Sequence, residues 1–276
     1  SLPETAVSVT ASLVQNNELA VSNVVGSNIF NLMFVIGVCS ILTPIMVQKA
    51  TVVRDIPLSL GCALFLLVLG ISGLGDKAGM TLGHADGVIF LIVFAGYIFT
   101  MVRSAMKARA AGQKVEIEGV EECDNMKELS YGKSILFLIV GAAAIAFGGD
   151  LTVDTASRIA IELGMSQTLV GLTIVSIGTS LPELVTSVVA ARKNEVDMAV
   201  GNAVGSNIFN ILMVLGISSA ISPVALIWEN IIDIVLLMVF SVMVWIFAGT
   251  RKKIERKEGI IMVVVYLVYC AYIIAR

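Results

Sequence analysis

The sequence predicts an all-α integral membrane protein made of two inverted-topology repeats of about five transmembrane helices each, ten in all, with nine present whole or in part. Three observations lead there. Of the 276 residues, 57% are hydrophobic and 14% charged, and the mean hydropathy is +0.95. Soluble domains carry about 25% charged residues, so a water-soluble chain is excluded. Residues 1–44 align without a gap on residues 180–223 and agree at nearly half the positions, with SLPE opening both copies and VGSNIFN recurring at 25–31 and 204–210. Self-similarity of that length marks an internal structural repeat. Finally, lysines and arginines fall almost wholly on one side of the predicted spans, and that sorting turns the second copy upside down relative to the first.

A hydrocarbon core about 30 Å thick needs about 20 apolar residues at 1.5 Å each, and windows of that kind give the elements in order. Residues 1–14 are the remaining half of a helix, closed by the turn QNNE at 15–18. Residues 20–43 form the second span, stopped by Pro44, which cannot continue a helix. Residues 55–74 and 86–102 are the third and fourth spans, followed by a polar connection at 103–132. The fifth starts over 133–149 and runs on amphipathically toward Leu163. Residues 168–191, 197–221, 228–248 and 260–274 are the sixth to ninth. The second copy begins near Lys133, about 47 residues before its SLPE motif. One helix and half of the next, ending in a Gly-Thr pair, are therefore expected ahead of Ser1.

These spans divide the chain into a first, N-terminally incomplete repeat at 1–104, a cytoplasmic linker at 105–132 and a second repeat at 133–276. Placing the 103–132 loop in the cytoplasm puts fifteen of the 18 lysines and arginines on that side, leaving Lys77, Arg158 and Arg276 opposite. The helix carrying Glu4 then runs outward and the one carrying Glu183 inward, so a pseudo-two-fold axis in the membrane plane relates the repeats. A multi-pass protein of the plasma membrane is expected.

The chemistry sits in the repeated motif. Glu183 is the only charged residue in 168–191, and an ionisable group at membrane depth marks a functional site by default. Gly178 and Pro182 interrupt its helix, because Pro182 offers no N–H to the carbonyl of Gly178. With Thr179 and Ser180 beside them, these are hard oxygen ligands suited to Na⁺ or Ca²⁺. The same acid motif on two broken helices points to a secondary transporter with its site between the repeats. Elsewhere the signals are weaker. The four cysteines are scattered, and His84, the single histidine, lies in a polar connection. The acidic run Glu116, Glu118, Glu121, Glu122 and Asp124 lacks EF-hand spacing and reads as a solvated linker. Asp150 and Asp154 read as an interfacial helix end. Gly26 and Gly205 divide between close helix packing and site formation. Asn23, Asn28, Asn202 and Asn207 read as bonds between helices.

GTSLPE followed by GNAVGSNIFN, in two inverted copies, resembles the alpha repeats of the calcium/cation antiporter superfamily, in particular the prokaryotic sodium/calcium exchangers. The resemblance covers nearly the whole chain. It implies exchange of Na⁺ for Ca²⁺ by alternating access at a midplane site, with no enzymatic activity, no cofactor and no nucleic-acid partner. It further implies a lipid bilayer as the setting and a functional monomer. Carried over by motif, it makes the ion ligands the acids Glu4 and Glu183, the hydroxyls Ser1, Thr179 and Ser180, the second-helix serines Ser27 and Ser206, the amides Asn31 and Asn210, and the backbone carbonyl at Ser176. Potassium-dependent relatives carry Asp where Asn210 stands, so the resemblance implies potassium independence. Proton-coupled relatives carry a GNAAEH-like stretch where this chain reads GNAVGS, which places Ca²⁺/H⁺ antiport behind Na⁺/Ca²⁺ exchange. Two other classes compete. A channel would build its pore from several subunits, whereas one chain here holds both halves. An intramembrane hydrolase using Ser180 would need a base, but His84 is remote and the two glutamates lie on separate repeats.

Overall fold

The computed structural model describes residues 1–14, 17–72, 80–110, 131–162, 164–165, 167–193 and 196–276. The acidic run at 116–124 and most of the predicted linker lie outside this set, as do the side chains of Asp150 and Asp154.

Both copies of the SLPE motif start a helix. Helix α1 (Leu2–Leu13) has Pro3 and Glu4 in its first turn, where a missing N–H is harmless and a carboxylate meets the positive end of the helix. The chain continues through α2 (Asn17–Ile29), a π-helical turn at Phe30–Val35 and α3 (Ile36–Leu42), a span of 25 residues counted from Glu18. Thr43 before Pro44 is extended (φ −140°, ψ 123°), as a residue preceding proline should be. Strand β1 (Ile45–Met46) and a π turn at Thr51–Asp55 lead into α4 (Ile56–Ser72); β2 (Thr81–Leu82) leads into α5 (His84–Ala110). Helix α5 runs past the predicted end at Val102, because SAMKARA at 104–110 is polar yet rich in good helix formers.

The second half repeats the plan behind one long helix, α6 (Tyr131–Glu162). It is continuous through Gly149, so the apolar and amphipathic stretches are a single rod of 32 residues, about 48 Å long. Then come α7 (Gln167–Val170), a π turn at Gly171–Val175, α8 (Ser176–Thr179) and α9 (Leu181–Arg192). The predicted break at Gly178 and Pro182 is real: the segments Gly171–Thr179 and Leu181–Arg192 meet at 50°. Helix α10 (Val196–Phe209), a π turn at Asn210–Val214 and α11 (Leu215–Ile221) form the counterpart of α2–α3. Ser222 before Pro223 is again extended. Strand β3 (Val224–Ala225), α12 (Trp228–Arg251), β4 (Lys253–Ile254) and α13 (Arg256–Ala275) complete the chain. Among the described residues six helices are long and apolar enough to cross a membrane, or seven with the bent pair as one span. Helices α1 and α6 bring the elements to the predicted nine.

Two small ladders display the inverted symmetry. β1 pairs antiparallel with β4, and β2 with β3. Since α4 separates β1 from β2 and α12 separates β3 from β4, the ladders lie at opposite ends of the bundle. Each joins one repeat to the other. The ends they join are those that charge sorting places on a common side.

Burial shows which helices are central. Of the most apolar window in Glu18–Leu42, 83% is buried, and 67% of that in Ala199–Ile221, against 17% for His84–Lys107 and 28% for Arg256–Ala275. The two central spans are less hydropathic (1.9 and 1.7) than α12 and α13 (2.7 and 2.2). A helix surrounded by protein can carry serines and asparagines because its neighbours satisfy them; a helix facing lipid cannot. Glycines let helices approach the centre closely. A Cβ on Gly37 would lie 3.1 Å from the carbonyl oxygen of Gly259, and one on Gly87 would lie 2.7 Å from that of Gly216. The α3–α13 and α11–α5 contacts are thus the same crossing in the two repeats.

Candidate ion site

The site forms where the two bent helices meet the two central ones. Along α1 the buried face is Pro3, Glu4, Ser8, Ala11 and Ser12, and along α9 it is Glu183, Ser187, Ala190 and Ala191. Residues spaced by three and four share a helix face, so each acid heads a stripe of small residues turned inward. Glu4 is fully buried and Glu183 nearly so.

Each acid is held by the opposite repeat. Ser180 Oγ donates to Glu4 Oε1 at 2.9 Å, and Ser1 Oγ donates to Glu183 Oε1 at 3.2 Å. The Ser1 nitrogen lies 2.7 Å from Glu183 Oε1 and 4.0 Å from Glu4 Oε2, so the carboxylates converge on one small volume. Glutamates on separate repeats in the sequence are therefore neighbours in space. Ser180 is paired with an acid after all, contrary to the separation on which the case against a hydrolase was built.

The amides arrive from the π turns. Asn31 and Asn210 each sit in the first positions of such a turn, both fully buried. The turn of Asn31 packs against α9 and that of Asn210 against α1, so each amide comes from a turn packed on the helix that carries the other repeat's acid. Inserted π turns recur at functional sites. Nothing in the composition of FNLMFV or NILMV announces them.

Seven buried side-chain oxygens make no hydrogen bond among the described residues: Ser12 Oγ, Asp86 Oδ1 and Ser218 Oγ, and with them Glu4 Oε2, Glu183 Oε2, Asn31 Oδ1 and Asn210 Oδ1. The last four form two pairs related by the repeat, and each belongs to a residue singled out from the motif. A buried acceptor without a donor costs about 1–3 kcal/mol, more if charged. Two carboxylates and two amide oxygens left bare are hard donors of the kind a cation would take.

Other expected ligands are placed differently. Ser27 donates to the Ser176 carbonyl and lies within hydrogen-bond distance of Thr179 Oγ1, both at 3.3 Å. Thr179 Oγ1 also bonds Asn23 Oδ1 at 3.2 Å. The Ser176 carbonyl already accepts from Ser180 N, Ser27 and Thr179, and the Ser176 hydroxyl donates to the carbonyls of Gly171 and Asn23. In this conformation the cluster of Ser27, Ser176 and Thr179 spends its hydrogen bonds on itself. Ser206, the counterpart of Ser27, is half-buried and lines a cleft of 520 Å³ with Ser1, Leu2, Gly201, Asn202, Gly205 and Phe209.

Gly26 sorts to packing, since a Cβ there would lie 2.8 Å from the Leu172 carbonyl oxygen. Asn23, Asn28, Asn202 and Asn207 bond between helices as expected. Asn23 Nδ2 donates to Ser8 Oγ at 2.9 Å, and Asn202 Nδ2 to Ser187 Oγ at 3.1 Å. Ser8 and Ser187 escaped the sequence analysis, although their identity in the two repeats was the available signal. His84 is the first residue of α5, with Nδ1 2.9 Å from the Ala220 carbonyl. Among the described residues no three of His, Cys, Asp and Glu gather as a metal cluster; the site is built from Glu with neutral oxygens.

The chain also matches known proteins. Residues 1–103 and 133–275 match the family described as sodium/calcium exchanger protein. A putative antiporter, CaxA, of Alkalimonas amylolytica is 33% identical over 98% of this chain and 82% of its own length. The sodium/calcium exchanger MaX1 of Methanosarcina acetivorans is 29% identical over 98% and 84%. Among solved structures, the sodium-calcium exchanger NCX_Mj soaked with 10 mM Na⁺ and zero Ca²⁺ superposes with a TM-score of 0.73 at 32% identity, covering 98% of this chain and 82% of that one. With its motifs, its inverted halves and this match over nearly its full length, the chain belongs to the sodium/calcium exchanger family.

Proposed function

We propose that the chain exchanges Na⁺ for Ca²⁺ across the membrane at the site between its repeats, and that Glu4, Glu183, Asn31 and Asn210 supply the central ligands, with Ser1 and Ser180 holding the acids. It is a transporter and not an enzyme. The observation that carries the assignment is that two carboxylates converging on one point and the amides of Asn31 and Asn210 each keep a buried oxygen without a hydrogen bond, paired by the repeat. Ca²⁺ takes six to eight oxygens at about 2.3–2.6 Å. Two carboxylates supply up to four and cancel its charge; the amides and water complete the shell. Na⁺ uses the same donors, so the two ions compete, and competition with one-sided access gives obligatory exchange. Thr179, Ser27, Ser206 and the Ser176 carbonyl join when the cluster around Ser27 opens. We place the exchanger in the plasma membrane as a working monomer, independent of K⁺, with 103–132 in the cytoplasm.

The test is calcium-45 uptake by proteoliposomes, with the Na⁺ gradient as the variable and K⁺ and pH clamped. Uptake that requires internal Na⁺ supports the reading. Uptake that ignores Na⁺ and follows a proton gradient would assign the chain to Ca²⁺/H⁺ antiport, and uptake that needs K⁺ beside Na⁺ to the potassium-dependent type.

A further inference from the structure

We infer that Asn28 and Asn207 are positioning residues: they clasp one another across the pseudo-two-fold axis and fix the amides of Asn210 and Asn31 so that oxygen, and not nitrogen, faces the ion. The inference rests on the ion site proposed above and adds the device that orients two of its ligands.

The hydrogen bonds leave no freedom in the assignment. Asn28 Nδ2 donates to the Asn207 backbone carbonyl at 3.2 Å, and Asn207 Nδ2 donates to the Asn28 backbone carbonyl at 3.1 Å. A carbonyl only accepts, so the nitrogen of each side-chain amide is pinned and its Oδ1 must point the other way. Asn28 Oδ1 then accepts from Asn210 Nδ2 at 3.1 Å, and Asn207 Oδ1 accepts from Asn31 Nδ2 at 3.4 Å. An oxygen cannot donate, so the nitrogens of Asn210 and Asn31 are committed to the clasp. Their oxygens are left over, and both are among the buried acceptors without a donor. All four residues are at most 1% exposed, so water does not compete for these bonds. Turning the Asn210 amide over would set its oxygen against Asn28 Oδ1 and point an N–H₂ group at the cation.

The linkage is crossed. Asn28 governs Asn210, and Asn207 governs Asn31. A packing role would show no such pairing, and that difference supplies the test. Asn28→Ala frees the Asn210 amide to turn; it should weaken the apparent Ca²⁺ affinity about tenfold or more. Asn210→Asp presents oxygen in either orientation, so adding Asn28→Ala to it should change affinity by less than about threefold, or improve it by removing an acceptor that faces the carboxylate. Asn31→Asp should not rescue Asn28→Ala. The mirror set is Asn207→Ala, rescued by Asn31→Asp and not by Asn210→Asp, and it carries the test alone if one alanine variant does not fold.

The measurement is the Ca²⁺ concentration dependence of Na⁺-driven calcium-45 uptake by the reconstituted protein, with affinity read apart from maximal rate. Crossed rescue supports the clasp. Equal loss in both backgrounds, or rescue by the wrong partner, overturns it while leaving the exchanger reading intact. Absence of Na⁺-driven uptake in the unsubstituted protein would defeat that reading itself.

Discussion

Replacing Glu183 by glutamine separates a ligand from a structural acid, because the two roles predict opposite signs. Among the described residues Glu183 Oε1 accepts from Ser1 alone and Oε2 has no donor, and the residue is 5% exposed. Glutamine keeps the volume and removes the charge. Taking away one partner of a buried ionic contact costs about 3–5 kcal/mol, so Ca²⁺ binding should weaken by roughly two to three and a half orders of magnitude. Na⁺, with half the charge, should lose less. The ion-free protein should respond the other way: an under-solvated carboxylate disappears, and thermal unfolding in detergent without Ca²⁺ should move up or stay level. Saturating Ca²⁺ at 100 times its dissociation constant adds about 2.7 kcal/mol to the unsubstituted protein. At about 2–4 °C per kcal/mol that is a rise of at least about 5 °C, which the variant should lack. The assays are calcium-45 uptake driven by Na⁺ and a melting curve with and without Ca²⁺. Uptake within threefold of the unsubstituted protein, or an ion-free variant melting well below it, would refute Glu183 as a ligand.

Further substitutions test the packing. Gly26→Leu drives a side chain into the Leu172 carbonyl and Ser176 and should abolish folded protein on size-exclusion chromatography, whereas Gly96→Ala in α5, with open space around it, should melt level or up to about 1 kcal/mol higher. Gly259→Val opposes the backbone of Gly37 and Ile41 and the Ser40 hydroxyl; it should cost about 1–3 kcal/mol by overpacking, read from the melting temperature. Asp233, buried on α12, holds Arg276 at 2.7 and 3.0 Å and accepts from Tyr269 at 3.2 Å. Asp233→Asn should therefore destabilise by about 3–5 kcal/mol, while Asp233→Asn with Arg276→Met should recover most of it.

The acids were legible because charge at membrane depth is rare, and the repeat doubled the signal. Pro44 and Pro223 gave the ends of the central spans for the same reason: their effect on the chain is local. What escaped was non-local or had no compositional mark. The π turns at Asn31 and Asn210 depend on neighbours that tolerate a widened backbone. That Ser180 meets Glu4 and Ser1 meets Glu183 follows from the crossing of α1 and α9, which no window of sequence contains. The same limit applies to Ser176: as a motif position it reads as a ligand, yet its carbonyl is bonded by Ser27 and Thr179, a state of one conformation. Helix α6 runs on past Gly149 as the amphipathic pattern toward Leu163 suggested, since fading hydropathy does not by itself end a helix.

Charge balance at the site leads to one more expectation. With both carboxylates ionised, the ion-free pocket holds two negative charges, and Ca²⁺ brings it to neutrality. Reorientation with Ca²⁺ bound then moves no net charge, so Ca²⁺/Ca²⁺ self-exchange should ignore the membrane potential. Moving one elementary charge across 100 mV is worth about 2.3 kcal/mol, up to about 50-fold in rate if the whole drop falls on that step. Na⁺ must enter at least as a pair to match the same two acids, and each Na⁺ beyond the pair, held by neutral oxygens alone, makes the Na⁺-driven cycle electrogenic. Calcium-45 self-exchange in proteoliposomes clamped by valinomycin at zero and at about −100 mV should therefore differ by less than twofold, while Na⁺-driven uptake reports the excess of Na⁺ as a voltage slope. A steep slope in the self-exchange would mean that one of Glu4 and Glu183 stays protonated with Ca²⁺ bound, and the pairing of two acids with one divalent ion would have to be given up.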